Sequence, residues 1–114
     1  MNMEYKRGDI IWIAGKKEVL GSEQQGNRPA VVIQNDMGNR YSPNLIAAEI
    51  TKVNKRKWMP THVNTSVLEV PSVIMCEMIN TVSKKRVMLN KGVRHVTKEE
   101  EIKLNEALKA SIAI

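Results

Sequence analysis

Residues 21–43 read GSEQQGNRPAVVIQNDMGNRYSP. Pro29 disfavours helical geometry at the residue before it, so Arg28 is extended where a polar loop enters a strand. Residues 30–34 are a short, almost wholly apolar run, too short for a helix and rich in β-branched residues, which marks a buried strand. Residues 35–43 then hold Asn, Asp, Gly, Ser and Pro, the chemistry of a turn. Upstream, Gly21 and Gly26 bracket Ser22, Glu23, Gln24 and Gln25, which reads as a polar flap. A fixed cation beside such a flap suits recognition of an anion, with phosphate foremost.

Working outward, the same β organisation continues. Arg7-Gly8-Asp9 reads as a turn into a first strand over residues 10–14. Residues 45–51 read as another strand, followed by a basic loop over 52–59 that carries Trp58. A short strand over 61–63, a buried strand over 73–78 and a β-segment over 81–87 complete the pattern. The C-terminus differs in kind. Thr97 is a good N-cap and Glu100 stands three residues later, as in a capping box. Leu104, Ala107, Leu108 and Ser111 fall at helical spacing, flanked by Ile102 and Ile112, which predicts an amphipathic helix of about three turns. Glu99, Glu100 and Glu101 suit its first turn, where the helix dipole favours negative charge. Short strands plus one terminal helix predict a mainly β (α+β) fold, a small, strongly curved, barrel-like sheet.

The 114 residues fit one domain, and 42% hydrophobic composition supports a real core. With no Phe, that core is Val, Ile, Leu and Met. No apolar run approaches the roughly 20 residues of a membrane helix. The N-terminal residues are too polar for a secretory signal, and the single Cys76 excludes an internal disulfide. These features predict a cytoplasmic protein. The net charge is +6, with fifteen basic and eight acidic residues in 1–97 against three and four in 98–114. The positive charge therefore belongs to the body of the domain, where it suits nucleic acid, an acidic protein partner, or simply a basic surface.

Several chemistries are excluded. There is no Walker loop or GxGxxG motif, and two His with one Cys cannot build a tetrahedral zinc site by themselves. No acidic cluster has the look of a magnesium site. Cys76, within an apolar run, reads as a buried, inert thiol. An enzyme of this composition works without metal, cofactor or an evident protein nucleophile. RNA cleavage meets that restriction, because the 2′-hydroxyl of RNA attacks its own neighbouring phosphorus. Alignment and charge stabilisation then carry most of the work.

The chain resembles the MazF/PemK/Kid group of toxin endoribonucleases from bacterial type II toxin–antitoxin systems. The resemblance is carried by RGD at 7–9, GSEQ at 21–24, Arg28-Pro29, VIQND at 32–36, Gly38-Asn39, Ser42-Pro43, Ile50-Thr51, PTHV at 60–63, Ser72-Val73 and Glu77. These motifs run in order over nearly the whole chain. The resemblance implies one SH3-like barrel domain over 1–114 with short helices, forming a homodimer. It implies metal-independent, cofactor-free cleavage of single-stranded RNA at a short sequence, leaving a 2′,3′-cyclic phosphate and a 5′-hydroxyl. It also implies a cognate antitoxin whose flexible acidic tail blocks the RNA groove. Arg28 and Thr51 are then the catalytic pair, the first neutralising the scissile phosphate and the second donating a hydrogen bond to it. Glu23, His62 and bulk water are the alternative proton carriers. Ser22, Glu23, Gln24, Lys52, Lys55, Arg56, Trp58, His62 and Glu77 are the expected RNA contacts.

Plainer roles compete for several of these residues. Arg28 could pair with Asp9 or Asp36. Trp58 could stack on a base or pack on the barrel or a second copy. His62 could be purely structural, and Glu77 could face the groove or pair with a nearby cation. Asp36 and Asn39 suit a turn, and residues 84–86, KKR, a solvated face. Where the family commonly continues Glu-Gln-Ile-Arg-Thr, this chain has Glu77-Met78-Ile79-Asn80-Thr81, a departure that bears on specificity and antitoxin fit. Two other functions fit the fold: a non-enzymatic toxin that poisons a protein such as gyrase, and an RNA-binding module without catalysis.

Overall fold

The structure, a computed structural model, describes residues 4–15, 26–53 and 58–114. The expected contacts Ser22, Glu23, Gln24, Lys55 and Arg56 lie outside the described residues. Among the latter the strands are β1 (Asp9–Ile13), β2 (Arg28–Val32), β3 (Asn44–Lys52), β4 (His62–Thr65), β5 (Ser72–Ser83) and β6 (Arg94–His95). They form one antiparallel sheet in the order β4-β5-β3-β2-β1-β6, curled into a half-barrel.

The two faces of this sheet carry different cores. Ile10, Val31, Ala48, Ile50, Ile74 and Cys76 pack with Leu104 and Ala107 of the C-terminal helix α2 (Lys98–Ile112). Ile11, Val32, Leu45 and Val82 pack with Tyr5 and Val87. Neighbours such as Ile10 and Ile11, or Val31 and Val32, enter different cores because strand side chains alternate between faces. Burial on both faces explains why β2 reads as a continuous apolar run instead of an alternating one.

The β3–β5 ladder is interrupted. Ala48 faces Ile79, yet Glu49 faces Met75, so Cys76, Glu77 and Met78 of β5 have no partner residue on β3. The Cys76 N–H donates instead to Thr61 O at 2.9 Å. Such bulges bend a strand and re-aim its side chains. Here the bulge brings Glu77 beside β4.

Residues 35–43, expected as a turn, contain a short helix, α1 (Asp36–Tyr41). Asn35 is its N-cap, with Oδ1 accepting from Gly38 N at 2.8 Å. Turn residues and N-cap residues are the same residues, because both uses exploit local side-chain bonds to backbone. The Asn39 amide is buried and donates to Gln34 O at 2.9 Å, which seats α1 on the sheet. Residues 81–87 are likewise not a separate strand. β5 runs unbroken to Ser83 and a 3-10 turn, Lys84–Arg86, follows. That turn is not simply a solvated face. Lys84 Nζ donates to Asn39 O at 2.6 Å and Arg86 Nη2 to Ala14 O at 2.7 Å.

The predicted capping box is present. Thr97 Oγ1 accepts from Glu100 N at 3.1 Å, and Glu100 Oε1 accepts from Thr97 N at 3.2 Å. Glu100 does more than cap. It is buried, and its carboxylate also accepts from Thr65 Oγ1 at 2.9 Å and Ser66 N at 3.2 Å, tying α2 to the end of β4. At the other end Ser111 Oγ donates to Cys76 O at 2.7 Å. The helix is 15 residues long, about four turns, and Ile102 and Ile112 are exposed, not part of its buried stripe.

The Arg7-Gly8-Asp9 turn is a junction. Arg7 Nε donates to Ile33 O, and Arg7 N to Asp36 Oδ1. Gly8 has φ of +98°, and a Cβ there would come within 2.7 Å of His95 Cε1, so both backbone conformation and space demand glycine. His95 lies between two carboxylates, Nδ1 2.8 Å from Asp9 Oδ1 and Nε2 3.2 Å from Glu101 Oε1. The Asp9 hydrogen bond raises the His95 pKa, partial burial opposes it, and Glu101 adds to the rise.

A folded pKa above the ordinary imidazole value of 6.5 fixes the sign of the pH response. The clamp stabilises fully below pH 6.5 and is lost as pH rises through the folded pKa. Thermal melts should therefore show a fall in Tm across this window in the wild type. The fall should be absent in His95→Gln.

Candidate nucleic-acid groove

The groove floor is set by strand register. Ala30 of β2 pairs with Glu49 of β3. Carried two residues further in the same antiparallel register, Arg28 stands opposite Thr51. Direct partners and alternate residues share a face, so Arg28, Glu49 and Thr51 point to the same side. Met75, paired with Glu49, joins them from β5, and Glu77 follows two residues on. These side chains line an open groove of about 960 Å³. Lys52, Met78, Lys91 and Arg94 also contribute to its wall.

The sequence expectations meet here unevenly. Arg28 and Thr51 are brought together, and Lys52 and Glu77 line the same groove. Trp58 is 70% exposed, so within one chain it is not packed into the barrel. The side chain of His62 is only 6% exposed and does not line the groove. Its Nε2 lies 2.9 Å from Glu77 Oε2, while Thr61 Oγ1 donates to Glu77 Oε1 at 2.8 Å. Both plainer readings therefore hold in part: Glu77 faces the groove and also pairs with His62.

Electrostatics divide the groove. Burial pushes the Glu77 pKa up, but the hydrogen bonds from His62 and Thr61, with a backbone bond, outweigh it and leave the pKa lowered. Glu77 is thus an ionised acceptor at neutral pH. Arg28, 46% exposed, pairs with neither Asp9 nor Asp36. Its Nη1 donates to Glu49 Oε1 at 3.2 Å. The carboxylates the sequence offered as partners are engaged elsewhere, Asp9 by His95 and Asp36 by the Arg7 backbone.

Sequence reasoning missed Glu49, Lys91 and Arg94. Glu49 accepts from Arg28 and, through Oε2, from Asn80 Nδ2 at 2.8 Å. Lys91 stands over the Trp12 ring, 5.6 Å from its centroid, and Arg94 Nη1 donates to Val67 O at 2.6 Å. For Glu49 a signal existed: an acidic residue two positions before Thr51 in a strand shares its face. Lys91 and Arg94 arrive from segments distant in sequence, with no local signal. Among the described lining residues, Arg28, Lys52, Lys91 and Arg94 face Glu49, Glu69 and Glu77. The groove is therefore mixed in sign, and it presents particular cations to an anion in place of a uniform positive field.

Comparison with known proteins agrees with this architecture. Residues 6–112 match the family described as PemK-like, MazF-like toxin of type II toxin-antitoxin system. The chain is 43% identical to Endoribonuclease EndoA of Bacillus subtilis (strain 168), over 98% of this chain and 97% of that protein. It is 42% identical to Endoribonuclease MazF of Staphylococcus epidermidis, over 96% of this chain and 92% of that protein. Its fold matches a mycobacterial endoribonuclease solved in complex with its cognate antitoxin, with a TM-score of 0.77, 20% identity and 96% coverage of both chains. The chain belongs to the PemK/MazF family, as an endoribonuclease toxin of MazF type.

Cys76 lies next to Glu77 but takes no part in the groove surface. Burial, and then the Glu77 charge, push its thiol up to about 11, with Arg7 opposing. A thiol so buried and protonated is a poor nucleophile. In a thiol-reagent titration at pH 7 the native protein should react far more slowly than the denatured chain, which should release one equivalent.

Proposed function

We propose that this chain, as a single toxin domain, cleaves single-stranded RNA such as mRNA at a short sequence without a metal ion, and so inhibits translation and growth. The observation that carries this reading is the juxtaposition of Arg28 and Thr51 on the groove floor. The RNA 2′-oxygen attacks the neighbouring phosphorus and the P–O5′ bond breaks. The products carry a 2′,3′-cyclic phosphate and a 5′-hydroxyl. The 2′-proton leaves to water or to Glu23, and the departing 5′-oxygen takes a proton from water; His62, buried away from the groove, is not placed to take it.

Arg28 neutralises the phosphoryl oxygens as charge builds on them, and the Thr51 hydroxyl donates to the same group. Arginine suits this role because it stays charged and its planar fork matches phosphate. Its high pKa makes it unsuited to remove a proton. His62 and Thr61 hold Glu77 in place. Substrate contacts extend over Ser22, Glu23, Gln24, Lys52, Lys55, Arg56 and Trp58. The exposed indole of Trp58 favours stacking on a base, worth roughly 1–3 kcal/mol.

In this reading the toxin is a cytoplasmic homodimer, and a cognate antitoxin controls it by laying a flexible acidic tail along the groove. The cations Arg28, Lys52, Lys91 and Arg94 would meet the tail's carboxylates. The mycobacterial structural neighbour was solved in complex with its cognate antitoxin, which supports an antitoxin partner for this chain.

Incubation with a long, unstructured RNA in EDTA, with ends mapped by primer extension, tests the proposal. Discrete cuts at one short word are expected, and Arg28→Ala should lose them by about a hundredfold or more while keeping its fold. Intact RNA from folded, antitoxin-free protein would favour a protein-poisoning toxin or a binding module instead. RNA affinity should also fall with salt, with a log–log slope of about −0.7 for each phosphate contacted. A flat response, measured by fluorescence anisotropy, would exclude phosphate-dominated binding.

A further inference from the structure

A carboxylate beside a phosphate-binding arginine repels the substrate, so the position of Glu49 in the groove calls for a reason. Both of its oxygens are engaged. Oε1 accepts from Arg28 Nη1 at 3.2 Å and Oε2 from Asn80 Nδ2 at 2.8 Å. Arg28 is on β2, Glu49 on β3 and Asn80 on β5, which are adjacent in the sheet. The contacts therefore cross three neighbouring strands. Glu49 pairs with Ala30, so Arg28 is its diagonal neighbour on the same face, within reach of a long side chain.

This arrangement addresses a specific weakness. Arg28 begins its strand and its side chain is 46% exposed. A long, exposed side chain samples many rotamers, and a catalytic cation must be held close to its productive geometry. Glu49 is only 21% exposed and is pinned from the far side by Asn80, so it is the better-fixed partner. Asn80 holds it with a neutral amide. A cation in that place would compete with Arg28 for the carboxylate, whereas an amide leaves the full negative charge facing the guanidinium.

On the reading that Arg28 holds the scissile phosphate, we propose that Glu49, anchored by Asn80, is a positioning residue that aims the Arg28 guanidinium. The arrangement has a cost in affinity, because the same carboxylate repels the RNA backbone. Aim and affinity thus depend on Glu49 with opposite sign, which separates this role from a structural one. Loss of fold would weaken turnover and binding together.

The test uses an RNA oligonucleotide containing the mapped cleavage word, and its uncleavable form with 2′-deoxyribose at the cut. Single-turnover and steady-state rates give kcat and KM, and anisotropy gives Kd for the uncleavable form. Glu49→Ala should lower kcat by about tenfold or more, because a misaimed group loses its effective molarity. Its Kd should be unchanged or tighter. Glu49→Gln should recover most of that loss, because one side-chain oxygen still accepts from Arg28 and the Asn80 amide can turn to accept from the other end. Asn80→Ala should lower kcat in the same direction, again without weakening Kd. An unchanged kcat in Glu49→Ala would overturn the inference. So would a weakened Kd that accounts for the whole loss, or a Glu49→Gln variant as slow as Glu49→Ala. If Arg28→Ala itself cleaves normally, the functional reading fails, and it does so independently of the Glu49 result.

Discussion

The register between β2 and β3 is the constraint on which the site depends. Ala30, Val31 and Val32 pair with Glu49, Ala48 and Ala47, and this fixes Arg28 opposite Thr51. Strand side chains have a period of two, so a slip of one residue would turn Arg28 into a core and an apolar neighbour into the groove. Both faces of this ladder carry packed cores, so such a slip would bury a charge and expose apolar surface on the two faces together. The hydrophobic effect thereby enforces a polar geometry. The core residues touch no phosphate, yet they decide where the arginine stands.

Two polar ties hold the rest of the fold to that ladder. Glu100 couples the start of α2 to β4 through Thr65 and Ser66 while capping its own helix. His95 couples β1 to α2 through Asp9 and Glu101. A buried carboxylate without donors would destabilise the fold. Glu100 is buried with three donors, so the tie adds orientation without leaving an unpaired charge. The bulge in β5 serves the groove more directly, because it brings Glu77 to Thr61 and His62.

The groove combines opposite charges at short range. Each carboxylate in its centre is occupied by neutral or cationic donors: Glu49 by Arg28 and Asn80, Glu77 by Thr61 and His62. Saturated carboxylates compete less for solvent and hold their partners still. Preorganisation of this kind places the cost of ordering in folding, before substrate arrives.

Local chemistry in the chain was enough to determine the β-rich class, the extended Arg28 before Pro29, the capped C-terminal helix and the inert Cys76. Each of these depends on neighbours within a few residues: a proline ring, a hydroxyl three positions from a carboxylate, an apolar run. The ordered motifs also carried the family and, through it, Arg28 and Thr51. Residues 35–43 misled because Asn and Asp serve turns and helix caps alike, and packing of Asn39 decided between them. That Arg28, Glu77 and His95 pair with their particular partners was not legible locally, although the offset of Glu49 from Thr51 already put it on the groove face. The partners come from strands and helices 6 to 86 residues away, and which one arrives depends on register, curl and the β5 bulge. Those are set by the packing of two cores across one sheet, a property of the whole chain that no local window contains.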